Sequence, residues 1–341
     1  MILKGMDPKS KVALFILIYL LAFFLMGWVF PKIFAMLIAA LAIIFLVEPI
    51  ANIIRKYLKK KALSSGLALV VFYVFVVWIV VALIPPMLKE TNTLINFINT
   101  FFEKEMWKSA KIFKDYPQVE ELIGRIGKLV EPKLSEFLSG LITTITTGVP
   151  SGIGFIFFVV LLSVYGVVYF DGLRRNIDYF FPASTRSIAH EFMRRMYGHL
   201  QRYVVAVTLT AALTGLSMGT FLKLIGVKYY LTLGAWAFLT NYIPIVGVFL
   251  ELIPMIIVIL PMGVKILIWF VVVTTVVHAT AFIVFLRLMQ GYSQLGPIAM
   301  IIAIIIVTEL FGIPGAFIAV PMAIVVRDYW MEFVNPRFEK M

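Results

Sequence analysis

The sequence predicts an all-α polytopic membrane protein. We expect about five or six full transmembrane helices, two broken or re-entrant helical hairpins and an extracytoplasmic amphipathic helical segment. Three observations carry this. The chain is 62% hydrophobic and only 14% charged, with a mean hydropathy of +1.01; an ordinary soluble domain is about 25% charged. Apolar runs near the length that crosses a bilayer recur along it. The short alternating segments of a membrane β-barrel are missing. In hydrocarbon every backbone amide and carbonyl must bond internally, which leaves the helix as the spanning element.

Taken in order, residues 12–30 form the first apolar run. Pro31-Lys32 turns the chain into a second run over 33–52. Arg55 to Lys61 then places five basic residues in seven. The third run, 63–84, is expected to stop at Pro85-Pro86, because proline has no amide hydrogen and clashes with the preceding turn. Residues 87–149 differ in kind, with eight basic and eight acidic residues. Apolar residues recur there at helical spacing: Leu94, Ile98 and Phe101; Leu122, Ile126 and Leu129; Leu134, Phe137, Leu141 and Ile145. These predict amphipathic helices outside the bilayer core, forming a packed cap or interfacial region. A fourth run covers 150–170. An arginine-rich amphipathic segment follows, 171–202, whose helix starts near Pro182 with Ser184 as its N-cap. A fifth run covers 203–222.

Beyond residue 228 the pattern changes. The apolar stretch 229–260 is interrupted by Asn241-Tyr-Ile-Pro-Ile-Val-Gly247, and 297–327 by Phe311-Gly-Ile-Pro-Gly315. A continuous run, 264–286, lies between them. Each half of the first interrupted stretch reaches roughly 24 Å as a helix, short of a hydrocarbon core of about 30 Å. Proline and glycine within apolar stretches mark discontinuous helices or re-entrant hairpins. The organisation expected is three N-terminal spans (1–86), extramembrane helices (87–149), a fourth span with a cytoplasmic amphipathic helix (150–202), and a motif-rich region (203–341).

Charge orients the chain. With the N-terminus inside, the short cytoplasmic segments hold 18 of the 30 basic residues. The short outer loops hold Lys32, Lys223, Lys228 and Lys265. Both termini are then cytoplasmic, in a multi-pass plasma-membrane protein. The net charge of +12 therefore reads as membrane orientation rather than nucleic-acid binding. There is no cysteine, which excludes thiol catalysis, disulfides and zinc thiolates. His190, His199 and His278 lack metal-ligand spacing. No His-Glu-x-x-His and no phosphate-binding loop occurs, so neither metalloprotease nor ATP-driven chemistry is expected, and no cofactor. The first run is too long for a signal peptide's apolar region and lacks a small-x-small end.

Acids within apolar stretches are costly and point to function. Glu48 sits beside Pro49 at the inner end of the second run, where pairing with Arg55 or Lys56 is expected. Glu251 and Glu309 each lie beside a helix break. Interrupted helices expose free carbonyls, amides and helix-end dipoles at membrane depth. A carboxylate among them can hold a cation or a proton; it can equally bond a neighbouring helix or an intersubunit contact. Asn241, Gln290 and Gln294 can line the same region. His278 reads as a satisfied helix-packing residue rather than a proton relay. Pro244, Gly247, Pro254, Gly291, Pro297, Gly312, Pro314, Gly315 and Pro321 set the breaks, or simple kinks and close helix contacts.

These motifs carry a resemblance. Asn241-Tyr-Ile-Pro-Ile-Val-Gly247, with Pro254 following, resembles the Asn-Phe-Ile-Pro-Tyr-Ile-Gly-Pro signature of the autoinducer-2 exporter family. Gly291-Tyr-Ser-Gln-Leu-Gly-Pro297, Leu310-Phe-Gly-Ile-Pro-Gly315 and Ala319-Val-Pro321 are similar to its C-terminal signature. Val248 stands where that family usually has a second proline, and Glu251 where a small residue is common. Residues 279–288 lack the family's usual polar residues and Glu-Pro pair. The resemblance implies a secondary transporter that exports a small polar solute or signalling molecule, as in quorum sensing, or exchanges sodium or lithium for protons. The expected partners are membrane lipid, that solute or ion, and further copies of the chain in a homo-oligomer. The contrasting expectation is a non-transporting membrane scaffold.

Overall fold

The computed structural model describes residues 6–106, 152–169, 176–291 and 295–338, together with 125, 132–136, 139, 140, 143 and 172. The described residues form helices and no strand. Among them, six helices are long and apolar enough to cross a membrane, which bears out the all-α polytopic reading. They are α1 (Pro8–Val29), α2 (Pro31–Leu58), α3 (Lys61–Glu103), α4 (Gly152–Tyr169), α5 (Arg186–Leu224) and α8 (Val264–Met289). Four shorter helices form the two interrupted stretches: α6 (Tyr230–Thr240) with α7 (Val246–Ile259), and α9 (Pro297–Phe311) with α10 (Ile313–Tyr329). A π-helical turn, Trp330–Val334, and the short α11 (Asn335–Phe338) close the chain.

Local chemistry explains several boundaries. Asp7 caps α1 by accepting from the Ser10 amide at 3.1 Å, with Pro8 in the first turn. Lys59, in the left-handed region, ends α2. Large apolar side chains stay exposed along the spans, such as Val70, Val74, Val77 and Val81 on α3. That pattern suits a lipid solvent.

Two expectations are corrected. The third helix does not stop at Pro85-Pro86 but runs on to Glu103. Two helical hydrogen bonds are lost there, yet Leu94, Ile98 and Phe101 beyond the prolines are wholly buried or nearly so. Their packing holds the helix together where local propensity would end it. The amphipathic helix expected from near Pro182 and the fifth span are likewise one helix, α5. Ser184 lies inside a 3-10 turn, Ala183–Thr185, and not at the helix N-cap. The remaining expected stripe positions Leu122, Ile126, Leu129, Phe137, Leu141 and Ile145 lie outside the described residues.

The chain folds as two compact units. One comprises residues 1–74, 154–206 and 288–341. Val12, Ile16, Phe181, Phe192 and Phe333 form one of its cores, and Val47, Ala51, Ala68 and Leu69 another. The α9–α10 hairpin belongs to this unit. The other comprises residues 75–153 and 207–287. Leu94, Ile98, Phe101, Leu134, Met218, Leu222, Leu233, Met255, Ile259 and Phe270 fill its core. The α6–α7 hairpin belongs to it. Within that unit α5 and α6 cross closely. An ideal Cβ on Gly215 would lie 2.7 Å from the Gly234 carbonyl oxygen, and one on Gly234 would lie 3.0 Å from the Gly219 Cα. Gly215 and Gly219 are thus a small-xxx-small face that lets two membrane helices touch backbone to backbone.

Candidate functional site: a buried carboxylate at a helix break

The α6–α7 hairpin is built from both ends. At its start, the Glu90 carboxylate of α3 accepts from the Thr232 amide at 3.0 Å. It thereby satisfies an amide that the first turn of α6 leaves free. Thr91 and Thr232 share a hydrogen bond at 3.2 Å beside it. The far end of α6 is the interruption at 241–245. There Val246 N–H donates to the Pro244 carbonyl at 2.7 Å, while Ile245 takes φ +67 and ψ −60. This is a γ-turn with a β-branched residue at positive φ, a strained arrangement. The chain then reverses into α7.

Gly247 makes the reversal possible. An ideal Cβ there would overlap the Thr240 carbonyl oxygen, lie 2.6 Å from the Thr240 carbonyl carbon and 3.2 Å from the Asn241 Cα. The two helices therefore meet at bare backbone. The second hairpin repeats the device. Gly312, at φ +65, donates to the Thr308 carbonyl at 2.7 Å. A Cβ on Gly315 would lie 2.8 Å from the Val307 carbonyl carbon and 3.1 Å from the Thr308 Cα.

Pro254 sits inside α7 and has no amide to donate to Leu250 four residues back. The Trp236 indole of α6 donates to that Leu250 carbonyl at 2.8 Å. A hydrogen bond removed within one helix is thus replaced by one that ties the hairpin together.

Beside this latch lies Glu251, with no exposed surface at all. Asn241 Nδ2 donates to Glu251 Oε2 at 2.6 Å and to the Ala237 carbonyl at 2.7 Å. Since a carbonyl can only accept, the second bond fixes which end of the Asn241 amide faces the carboxylate. His278 of α8 brings Nε2 within 3.3 Å of Oε2. The approach is within ion-pair range but lacks hydrogen-bond alignment, and Nε2 and Glu251 Oε1 are both buried without a hydrogen-bond partner. In hydrocarbon a carboxylate so placed is costly unless paired or protonated. The expectation that His278 is satisfied is corrected: its Nε2 has no hydrogen-bond partner and faces the buried acid.

The other sequence candidates fall elsewhere. Glu309 belongs to the other unit and is exposed three residues before Gly312, near exposed Ile305, Ile306 and Leu310. In the same turn, the Thr308 hydroxyl is buried without a hydrogen-bond partner. Gln290 is exposed at the end of α8, and Gly291 follows it at φ +78; Gln294 lies outside the described residues. Pro297 and Pro314 open α9 and α10, and Pro321 lies inside α10. Glu48 accepts from Tyr197 and, at 2.8 Å, from Gln201 of α5, partners the sequence did not point to. His199 Nδ1 and Asp328 Oδ2 are 2.6 Å apart. Among the described residues no three His, Asp or Glu side chains gather as a metal site.

Sequence reasoning named Glu251, Asn241 and His278 but missed Trp236 and Glu90, and it did not bring His278 to the acid. Pro254 did carry a signal for the first, since a proline within a helix leaves a carbonyl in need of a donor. Nothing in the spacing of Glu251 and His278 foretold that they meet.

The chain is similar in sequence to known proteins. A Thermotoga maritima protein named "Putative transport protein" is 32% identical over 331 residues, covering 97% of each chain. The Bacillus subtilis protein named "Putative transport protein YrrI" is 23% identical over 96% of each chain. The Escherichia coli protein named "Putative transport protein YhhT" is 26% identical over 80% of this chain and 78% of its own. Residues 14–335 match the family described as AI-2E family transporter. With a match of that extent, running through all six spans and both hairpins, the chain belongs to the AI-2E transporter family.

Proposed function

We propose that this chain is a secondary transporter that exports a small polar solute or signalling molecule by alternating access, with Glu251 as its ion-coupling carboxylate. The observation that carries this reading is Glu251 itself: wholly buried, at a helix break, with one carboxylate oxygen lacking a hydrogen-bond partner. A structural acid in an apolar hairpin would be expected to have both oxygens satisfied. The helices around the break span only roughly 16 and 21 Å, so each falls short of a hydrocarbon core. That supports a re-entrant or discontinuous element at membrane depth, where transporters place their sites. In this reading the protein lies in the plasma membrane with both termini cytoplasmic, as the basic residues favour, and works as a homo-oligomer. Family membership argues against an enzyme.

The same carboxylate favours a second reading, a sodium or lithium/proton antiporter. Both readings are tested with purified protein in liposomes loaded with a pH dye, under imposed sodium, lithium or potassium gradients. Wild type is compared with Glu251→Gln and Glu309→Gln, each shown to be folded by size exclusion. Flux that vanishes in Glu251→Gln supports the antiporter. No ion-driven flux sinks the antiporter, and export of radiolabelled solutes is then measured. Loss of all export in Glu251→Gln supports the leading reading. Unimpaired transport in that variant refutes both, and a wild type that moves nothing leaves the scaffold.

A further inference from the structure

We propose that Glu251, His278 and Asn241 form a proton-binding site, with Glu251 the group that gains and loses the proton, His278 its sharing partner and Asn241 its positioning residue. That this proton is the coupling ion rests on the transport reading above; the binding itself does not.

The donor set selects the ligand. A hard cation is held by a shell of oxygens. Glu251 offers two, but the groups facing it are an amide N–H from α6 and an imidazole nitrogen from α8. Asn241 cannot turn its oxygen inward without breaking its 2.7 Å bond to the Ala237 carbonyl. The site therefore presents one hydrogen-bond donor and one basic nitrogen to a carboxyl group, which suits a proton and not a metal ion.

The carboxyl is shut off from solvent. Glu251 has no exposed surface, and Met255, Ile257, Val258 and Ile259 of the same helix are buried as well. Among the described residues, His278 is the titratable group within ion-pair distance of it. Uptake from hydronium forms one O–H bond on the carboxyl and leaves water; release reverses it, with no oxidation or reduction. The bound proton replaces an uncompensated buried charge by a neutral carboxyl, whose O–H the His278 nitrogen 3.3 Å away can share.

The site also has a lever on the hairpin. The Asn241–Glu251 hydrogen bond ties the end of α6 to α7, next to the strained turn at Ile245. A carboxylate accepts that bond more strongly than a carboxylic acid does. Protonation loosens the tie and deprotonation tightens it.

The test is infrared spectroscopy of the full-length protein in lipid nanodiscs, titrated in choline chloride. We expect a carboxylic-acid C=O band that grows as pH falls and is lost in Glu251→Gln. In His278→Gln its midpoint should move by about one pH unit or more, as coupling of a shared site requires. Replacing choline by sodium or lithium at equal ionic strength should leave the midpoint in place. If Glu251→Gln does not fold, Glu251→Asp, one methylene shorter, should move both band position and midpoint. A band indifferent to Glu251 substitution, a midpoint indifferent to His278, or one displaced tenfold by sodium or lithium overturns the proposal. A titrating Glu251 with neither ion-driven flux nor solute export in liposomes keeps the site and removes the transport reading. Transport with a Glu251 that does not titrate does the reverse.

Discussion

Gly247→Ala adds a single methyl group, at the point where α6 and α7 touch. The new carbon would overlap the Thr240 carbonyl oxygen and stand 2.6 Å from its carbon, where real contacts begin well above 3 Å. Every atom it meets is backbone, so no side chain can rotate away. The helices must separate by about 1 Å, at a cost typical of overpacking, roughly 1–3 kcal/mol. The same separation stretches the 2.6 Å Asn241–Glu251 bond. A hydrogen bond to a charged group contributes about 1.5–3 kcal/mol. Together the loss is about 2.5–6 kcal/mol. The matched control is Gly66→Ala on α3, where nothing lies within 4 Å of the added carbon; there the expectation is no change or a gain of about 0.5–1 kcal/mol. Thermal unfolding of both variants in detergent, read as loss of monodisperse protein, decides. If Gly247→Ala is as stable as Gly66→Ala, the backbone contact does not exist as described, and the geometry derived for the hairpin fails with it.

Two further outcomes follow from the same two helices. Ile245→Gly relieves a positive-φ γ-turn worth about 1–3 kcal/mol against glycine's own entropic cost of roughly 0.5–1 kcal/mol. It should raise stability by about 1 kcal/mol, and a drop in the unfolding temperature would contradict the strain. Gly234→Val forces side-chain carbons into the Gly215 carbonyl and the Gly219 Cα. It should cost about 3 kcal/mol, seen in the same unfolding assay, and a neutral result would refute the close α5–α6 crossing.

The positions of the helix breaks were legible because proline and glycine act locally. Pro244, Gly247, Gly312 and Pro314 bracket the interruptions where the structure has them. The tandem proline at 85–86 was misleading by the same local logic. Its two missing hydrogen bonds are outweighed by Leu94, Ile98 and Phe101, which bury against residues more than a hundred positions away. The long α5 was hidden for a related reason. Its arginine-rich first half and apolar second half differ in composition, while the backbone continues without a break.

By itself the sequence determined that this protein is helical, that it lives in a membrane and where its helices are interrupted. Hydrophobic run length, charge placement and proline chemistry act over a few residues, so they can be read from order alone. The tertiary structure decided which polar groups meet. Asn241 reaches Glu251 across a hairpin of ten residues, and His278 arrives from another helix. Trp236 finds the one carbonyl that Pro254 sets free. These pairings depend on how helices cross, and crossings are set by where backbones can touch. In the hairpin that carries the acid, Gly247 sets the contact, because any larger residue there would hold the two helices apart.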